Sequence, residues 1–407
     1  AVYLAADELG ANRSQVGALR PVGTNSAAVL ADTPIGMFEQ IVVYTKSSLC
    51  EQSTPSNFSF SDTFSPVRNL TFDDEDLDAG ELGGAVTWDP PDEAAQVFHY
   101  VAYLAADGAG LNRSQIAAQV AIGTDVIHLA PDYPQGDYTQ CAVYSRSGLA
   151  EQTTPVARAI NDTSASVSGV SFVDLDLDAL DLGGVATWSP PPDAEFVAQY
   201  AVYLAADELG ANRSQVGALR PVGTNSAAVL ADTPIGMFEQ IVVYTKSSLC
   251  EQSTPSNFSF SDTFSPVRNL TFDDEDLDAG ELGGAVTWDP PDEAAQVFHY
   301  VAYLAADGAG LNRSQIAAQV AIGTDVIHLA PDYPQGDYTQ CAVYSRSGLA
   351  EQTTPVARAI NDTSASVSGV SFVDLDLDAL DLGGVATWSP PPDAEFVAQY
   401  AVYLAAD

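Results

Sequence analysis

The chain has 407 residues, 55 acidic against 14 basic, which leaves a formal net charge of −41. Such a balance repels nucleic acid and anionic membrane surfaces and suits a soluble surface that holds counter-ions, with calcium or a salt-rich medium as the two readings. Apolar residues make up 46% of the chain, enough for packed cores and too many for a disordered acidic tail. No apolar run approaches the roughly 20 residues a membrane-spanning helix needs.

The sequence is an array. Residues 1–207 recur without a substitution as residues 201–407, and an imperfect repeat of half that period lies within. Thus AVYLAADELGANRSQ at Ala1 answers to VAYLAADGAGLNRSQ at Val101. Fixed periods of this kind mark repeat architectures, which serve as spacers, scaffolds or polymers. The apolar heptapeptide AVYLAAD stands at both ends of the chain and falls mid-unit elsewhere. Natural termini seldom cut a buried segment, so the chain reads as a window onto a longer repetitive protein, or as a subunit whose ends complement a neighbour's. Residues 365–400 followed by residues 1–64 would rebuild one unit. The expected divisions are a partial module at 1–64, whole modules at 65–164, 165–264 and 265–364, and a partial module at 365–407.

Within the unit from Ser65 to Ser164, Val67–Phe72 reads as a first strand, followed by the acidic loop DDEDLDAGELGG. Ala85–Trp88 ends a second strand at DPPD, where proline stops a ladder. Val97–Ala105 is a third, GAGLNRSQ a turn region, and Gln115–Ile122 a fourth. Val126–Leu129 is short and is followed by the turn PDYPQGD; Tyr138–Tyr144 and Thr153–Ile160 complete the set. A helical pattern is confined to Ser114–Ala118. About seven short strands, with a turn signal every 8–15 residues, predict an all-β chain: a tandem array of seven-stranded antiparallel β-sandwiches.

VTWDPP (Val86–Pro91), YVAY (Tyr100–Tyr103) and the run from Tyr138 through Cys141 to Tyr144, followed by a small-residue turn and TTP, resemble a fibronectin type III module. The marks recur at Trp188, Trp288 and Trp388, and the likeness covers the whole chain as three modules and two fragments. It implies an immunoglobulin-like sandwich with Trp88 in its core. The chain departs from the family in a longer stretch between Leu129 and Tyr138 and in a very acidic first loop. Arrays of near-identical modules also resemble the giant extracellular repeat proteins of unicellular algae and similar protists, some of which build filaments or flagellar hairs. Linkers of a few residues, SDTFSP (Ser61–Pro66) and NDTSASVS (Asn161–Ser168), predict a stiff array, roughly 30 Å per module.

Five of the six asparagines in each 200-residue period stand in Asn-x-Ser/Thr with no proline at x. These are Asn12, Asn57, Asn69, Asn112 and Asn161, repeated as Asn212, Asn257, Asn269, Asn312 and Asn361. The pattern predicts N-glycosylation and an extracellular, secreted location, although NRS is also a turn triplet that duplication would copy. The four cysteines, Cys50, Cys141, Cys250 and Cys341, fall one to a unit, which excludes a bridge within a unit and leaves bonds between modules or chains, or buried thiols. The strand topology that the resemblance implies favours Cys141–Cys250 over Cys50–Cys141.

The acidic loops Asp73–Glu81 and Asp174–Asp181 carry candidate calcium ligands at Asp74, Asp76 and Asp78, and at Asp174, Asp176 and Asp178, or are plain solvated turns. Val185 at the twelfth position from Asp174 excludes an EF-hand. His99, His128 and their copies stand without a partner at metal-ligand spacing, and no nucleophile elbow or P-loop is present, so no enzyme is expected. Two strands, VFHYVAYLA and IVVY, are apolar on both faces, which predicts that another module covers the outer face, or that Val and Ala are exposed there. The sequence thus reads as the repeat unit of an extracellular, glycosylated fibril or filamentous appendage. Its partner is itself, end to end and side by side, with no nucleic acid, no membrane span and no required cofactor beyond optional calcium. The alternative is the stalk of a cell-surface adhesion or receptor protein.

Overall fold

The computed structural model describes residues 1–392 and 394–406. Its elements are strands and turns; no helix occurs among the described residues, and none is long and apolar enough to cross a membrane. The chain divides into two compact units, Ala1–Ala165 with Ser247–Ser253, and Ser166–Lys246 with Thr254–Asp407.

In unit 1, residues 65–164 form two facing sheets. One has the strand order Val126–Pro134, Glu81–Asp89, Arg68–Phe72. The other has the order Val156–Ala159, Gln140–Arg146, His99–Ala105, Ser114–Gln115, with Val120–Ala121 also paired to His99–Ala105. All pairings are antiparallel, and the three-stranded and five-stranded sheets make a fibronectin type III-like sandwich. The same strand orders recur in unit 2, in the strands between Ser168 and Ser259 and again in those between Arg268 and Ala359. The fragment before residue 65 forms one sheet, in the order Ser14–Gln15, Val2–Ala5, Gln40–Val43, Ser56–Ser59, and Ser368–Phe372 pairs with Ala386–Ser389 at the other end.

Alternation along the strands builds the core. Leu82, Val86 and Trp88 of one sheet meet Tyr100, Ala102, Leu104, Cys141 and Val143 of the other, all buried. Trp88 stands edge-on to Tyr100 at 5.4 Å between ring centroids, the preferred geometry for aromatic pairs. Burial of each such side chain contributes about 1.5–3 kcal/mol.

Three sequence expectations are corrected. Ser114–Gln115 is a short strand on Tyr103 and Leu104, so the helical pattern there has no counterpart. The expected fourth strand, Gln115–Ile122, is instead two dipeptide strands. The turn PDYP continues the strand Val126–Pro134 along Glu81–Asp89, with a register shift between Leu129 and Tyr133. The extra residues Ala130–Asp132 lie opposite Gly83 alone, so the added length is taken up as an unpaired bulge within the strand.

Candidate functional site

The doubly apolar sheet is closed by its own module. Tyr103 and Tyr144 lie on the outer face with Ala105, Ala142 and Ala157. The segment 106–114 folds back over them. Asp107 Oδ1 accepts the amides of Ala109 and Leu111, and Asn112 takes a left-handed conformation with φ 48°. A side chain at Gly110 would overlap the Tyr144 hydroxyl, so glycine is required at this close approach. Arg113 then lies over both rings, 4.5 Å from the Tyr103 centroid and 4.1 Å from that of Tyr144, and pairs with Glu151 at 2.9 Å. Tyr103 donates to Glu151 Oε2 at 3.1 Å. Burial, then the Glu151 charge, pushes the Tyr103 phenol above its usual range. The expected cover by another module is therefore replaced by a clamp from the same chain segment. Its signal was in the sequence: the NRS triplet places one arginine beside the doubly apolar strand in every unit.

The acidic loop is the most elaborate site, and unit 2 shows it whole. Asp174 Oδ1 accepts the amides of Asp176 and Gly183, and Oδ2 that of Thr263 at 2.8 Å. Asp176 accepts the amides of Asp178 and Asp232. Asp178 accepts those of Thr353 and Thr354, at 2.6 and 3.0 Å. Asp262 takes the amide of Leu180. These are charge-assisted bonds, about twice as strong as neutral ones. Leu177 projects from the loop into the core of residues 265–364, among Val267, Trp288 and Tyr300, and is 2% exposed. Its carbonyl accepts the side-chain amide of the buried Gln352 at 2.6 Å. Gly183 sits so close beneath Leu349 that an added Cβ would lie 2.6 Å from Leu349 Cδ2 and 3.0 Å from Ala231 Cα. The loop of one module is thus a plug that completes the next module's core.

Unit 1 has the same arrangement. Asp74 accepts the amides of Asp76, Gly83 and Thr163, while the Thr163 hydroxyl donates to the Asp74 carbonyl. The turn Ser247–Ser253 meets this loop: Gln252 donates to the Leu77 carbonyl, and Ser253 to Asp78 at 2.6 Å. Burial outweighs these amide bonds and lifts the carboxyls of Asp74 and Asp174 to about 6.

Of the six aspartates singled out as calcium ligands, the structure groups four. Asp76 and Asp78 come together with Glu81 and Asp132, with ligand oxygens all within 4.8 Å of one another; Asp176 and Asp178 join Asp232 in the same way. Asp74 and Asp174 point to backbone amides instead. Glu81, at the end of the acidic loop, was not singled out as a ligand, and Asp132 and Asp232 escaped the sequence reading because strand pairing, not loop spacing, brings them in.

All ten sequon asparagines are exposed. Asn69 and Asn269 have positive φ and donate to Asp89 and Asp289. The four cysteines are free thiols. The expected Cys141–Cys250 bridge is not formed, because Cys141 is sealed within its sandwich while Cys250 lies beside Asp76, its Sγ 3.8 Å from Oδ2. Burial pushes the Cys141 and Cys341 thiols up to about 12, and burial with the Asp76 charge pushes Cys250 to about 11. Alkylation of the native protein is expected to spare the peptide shared by Cys141 and Cys341 and to label the one shared by Cys50 and Cys250. Equal labelling of both would contradict the packing.

Fold and site together define a tandem array of fibronectin type III-like sandwiches joined by acidic plugs. No protein-family model matches the chain, and no curated protein matches it in sequence. Among solved structures, the FN1–FN3 domains of chicken CNTN1 match over 74% of this chain and 98% of that one, at 13% identity and a TM-score of 0.25.

Proposed function

We propose that the chain is the repeat unit of an extracellular, N-glycosylated fibril, resembling those giant protist glycoproteins. The observation that carries this reading is the plug at residues 174–183, which makes one module part of the next and suits a load-bearing array over a set of independent binding modules. Ten exposed sequons on an acidic surface support a sugar coat that limits uncontrolled bundling.

Electron microscopy of the native material, before and after enzymatic removal of N-glycans, tests this. Uniform filaments with an axial repeat tied to the 100- or 200-residue unit, thinning after treatment, are the expected result. Single, unassociated chains at every concentration would discard the polymer and leave the stalk of an adhesion or receptor protein. One observation favours that second reading: the Arg113 clamp closes the sheet face that lateral packing would have used.

Calcium belongs to the proposal as an optional ligand of the clusters at Asp76 and Asp176. Added calcium is expected to raise the melting temperature and a chelator to reverse the change. An unaltered melting temperature would remove calcium from the account.

A further inference from the structure

In residues 165–264, the three-stranded sheet is made of Ser168–Ser171, Asp181–Ser189 and Ser226–Pro234. On its outer face Val173 is 54% exposed, Val185 48% and Leu230 75%, and Ala228 is exposed beside them. Val185 pairs with Ala228, and the bridge between Asp174 and Gly184 sets Val173 opposite Val185 on the other side. These side chains form one apolar row across three strands. The stretches 169–173, 185–189 and 226–230 contain no charged residue.

The neighbouring kind of module is built differently at the same positions. Residues 65–164 carry Asn69, Asp73, Asp89 and His128 where residues 165–264 carry Gly169, Val173, Ser189 and Ala228, and residues 265–364 repeat the first set. Asn69 and Asn269 are sequon asparagines in an edge strand of this sheet. The two sequons of residues 165–264 fall elsewhere: Asn257 in a strand of the other sheet, and Asn212 in the loop that leads into it. Loss of charge and loss of the sugar site thus coincide on one face of every second module.

A chain of net charge −41 repels its own copies wherever its charges face outward, and this face is free of that repulsion. Three strands ~4.8 Å apart, each about five residues long, make an area of roughly 250 Å². A stable interface takes about 800 Å² from each partner. One contact here is therefore weak, and its occupant must repeat it at the same 200-residue spacing. A second copy of the array does so, and the weak contacts then act together.

We propose that the row Val173–Val185–Ala228, with Leu230, packs against the same row of a second copy of this chain. The inference deepens the fibril reading and rests on it: it supplies a lateral contact on the sheet that the arginine clamp leaves open, since Arg213 covers the other one.

Sedimentation of the full chain over a concentration series tests it, with Val185→Lys made together with its copy Val385→Lys. Ala85→Lys with Ala285→Lys, at the equivalent place in the other kind of module, is the control. These positions lie on the solvent side of the sheet, so circular dichroism should remain that of the parent. Each lysine lowers the net negative charge, which by itself favours association. The valine variant is nevertheless expected to need at least about 10-fold more protein to associate, and the alanine variant no more than the parent. Leu230→Ser with Leu30→Ser, which removes apolar surface without adding charge, should act in the same direction as the valine variant. Association unchanged by the valine variant, or weakened equally by the control, would overturn the contact, give the face to a different partner and leave the fibril reading standing. A parent chain that stays monomeric throughout would overturn both.

Discussion

Leu177→Ala is expected to destabilise the module at residues 265–364 by about 2–5 kcal/mol, although residue 177 belongs to the preceding module. The side chain is buried as part of the core cluster that includes Val267, Trp288, Tyr300 and Val343, and its removal leaves a cavity inside another module's core. Calorimetry of the full chain should show one transition separating from the others. It should move down by roughly 4–8 °C for each kcal/mol lost, the usual sensitivity of a domain near 100 residues. Leu177→Asp should be worse, since it places an unpaired carboxylate in that core. A trace identical to the parent's would mean that the loop lies on the core without contributing to it.

Arg313→Ala should cost about 2 kcal/mol and loosen residues 306–314. Arg313 lies 4.6 Å from the Tyr303 ring centroid and 4.1 Å from that of Tyr344, and pairs with Glu351 at 2.9 Å. Its removal uncovers an apolar face and leaves Glu351 with the Tyr303 hydroxyl at 3.2 Å. Arg313→Lys should recover only part of the loss, because a single ammonium cannot reach both rings and Glu351 as the broad guanidinium fork does. Denaturant titration and the near-ultraviolet dichroism of the tyrosines would check both. A lysine variant as stable as the parent would reduce the clamp to a simple charge effect.

Much of the fold was legible because it is written in alternation. Trp88 before DPP, and the apolar positions Tyr100, Ala102 and Leu104, are fixed by period-two patterning and by proline, both local signals. The strand Val126–Pro134 was read short because its bulge carries Pro131, a residue that in isolation signals a turn. The outer face was misassigned for a different reason. Pattern shows that a face is apolar, but not what covers it, and the cover here is a loop whose arginine counts as polar in any pattern. The acidic loop was recognised as unusual. Its leucines were not singled out, since one apolar residue among aspartates carries no periodicity. Asp132 and Asp232 were not singled out beside Asp76, Asp78, Asp176 and Asp178 because they reach those clusters only through a neighbouring strand.

The Thr163 hydroxyl, spent on the Asp74 carbonyl, has a consequence for how such a chain is made. It is the third residue of the sequon Asn161-Asp-Thr, and an enzyme that recognises the triplet must reach that hydroxyl. In the folded chain it is buried, while Asn161 itself stays outside. If Asn161 carries a sugar, its attachment precedes closure of the loop over Thr163, because in the folded chain that hydroxyl is held inside the joint while the asparagine stays on the surface.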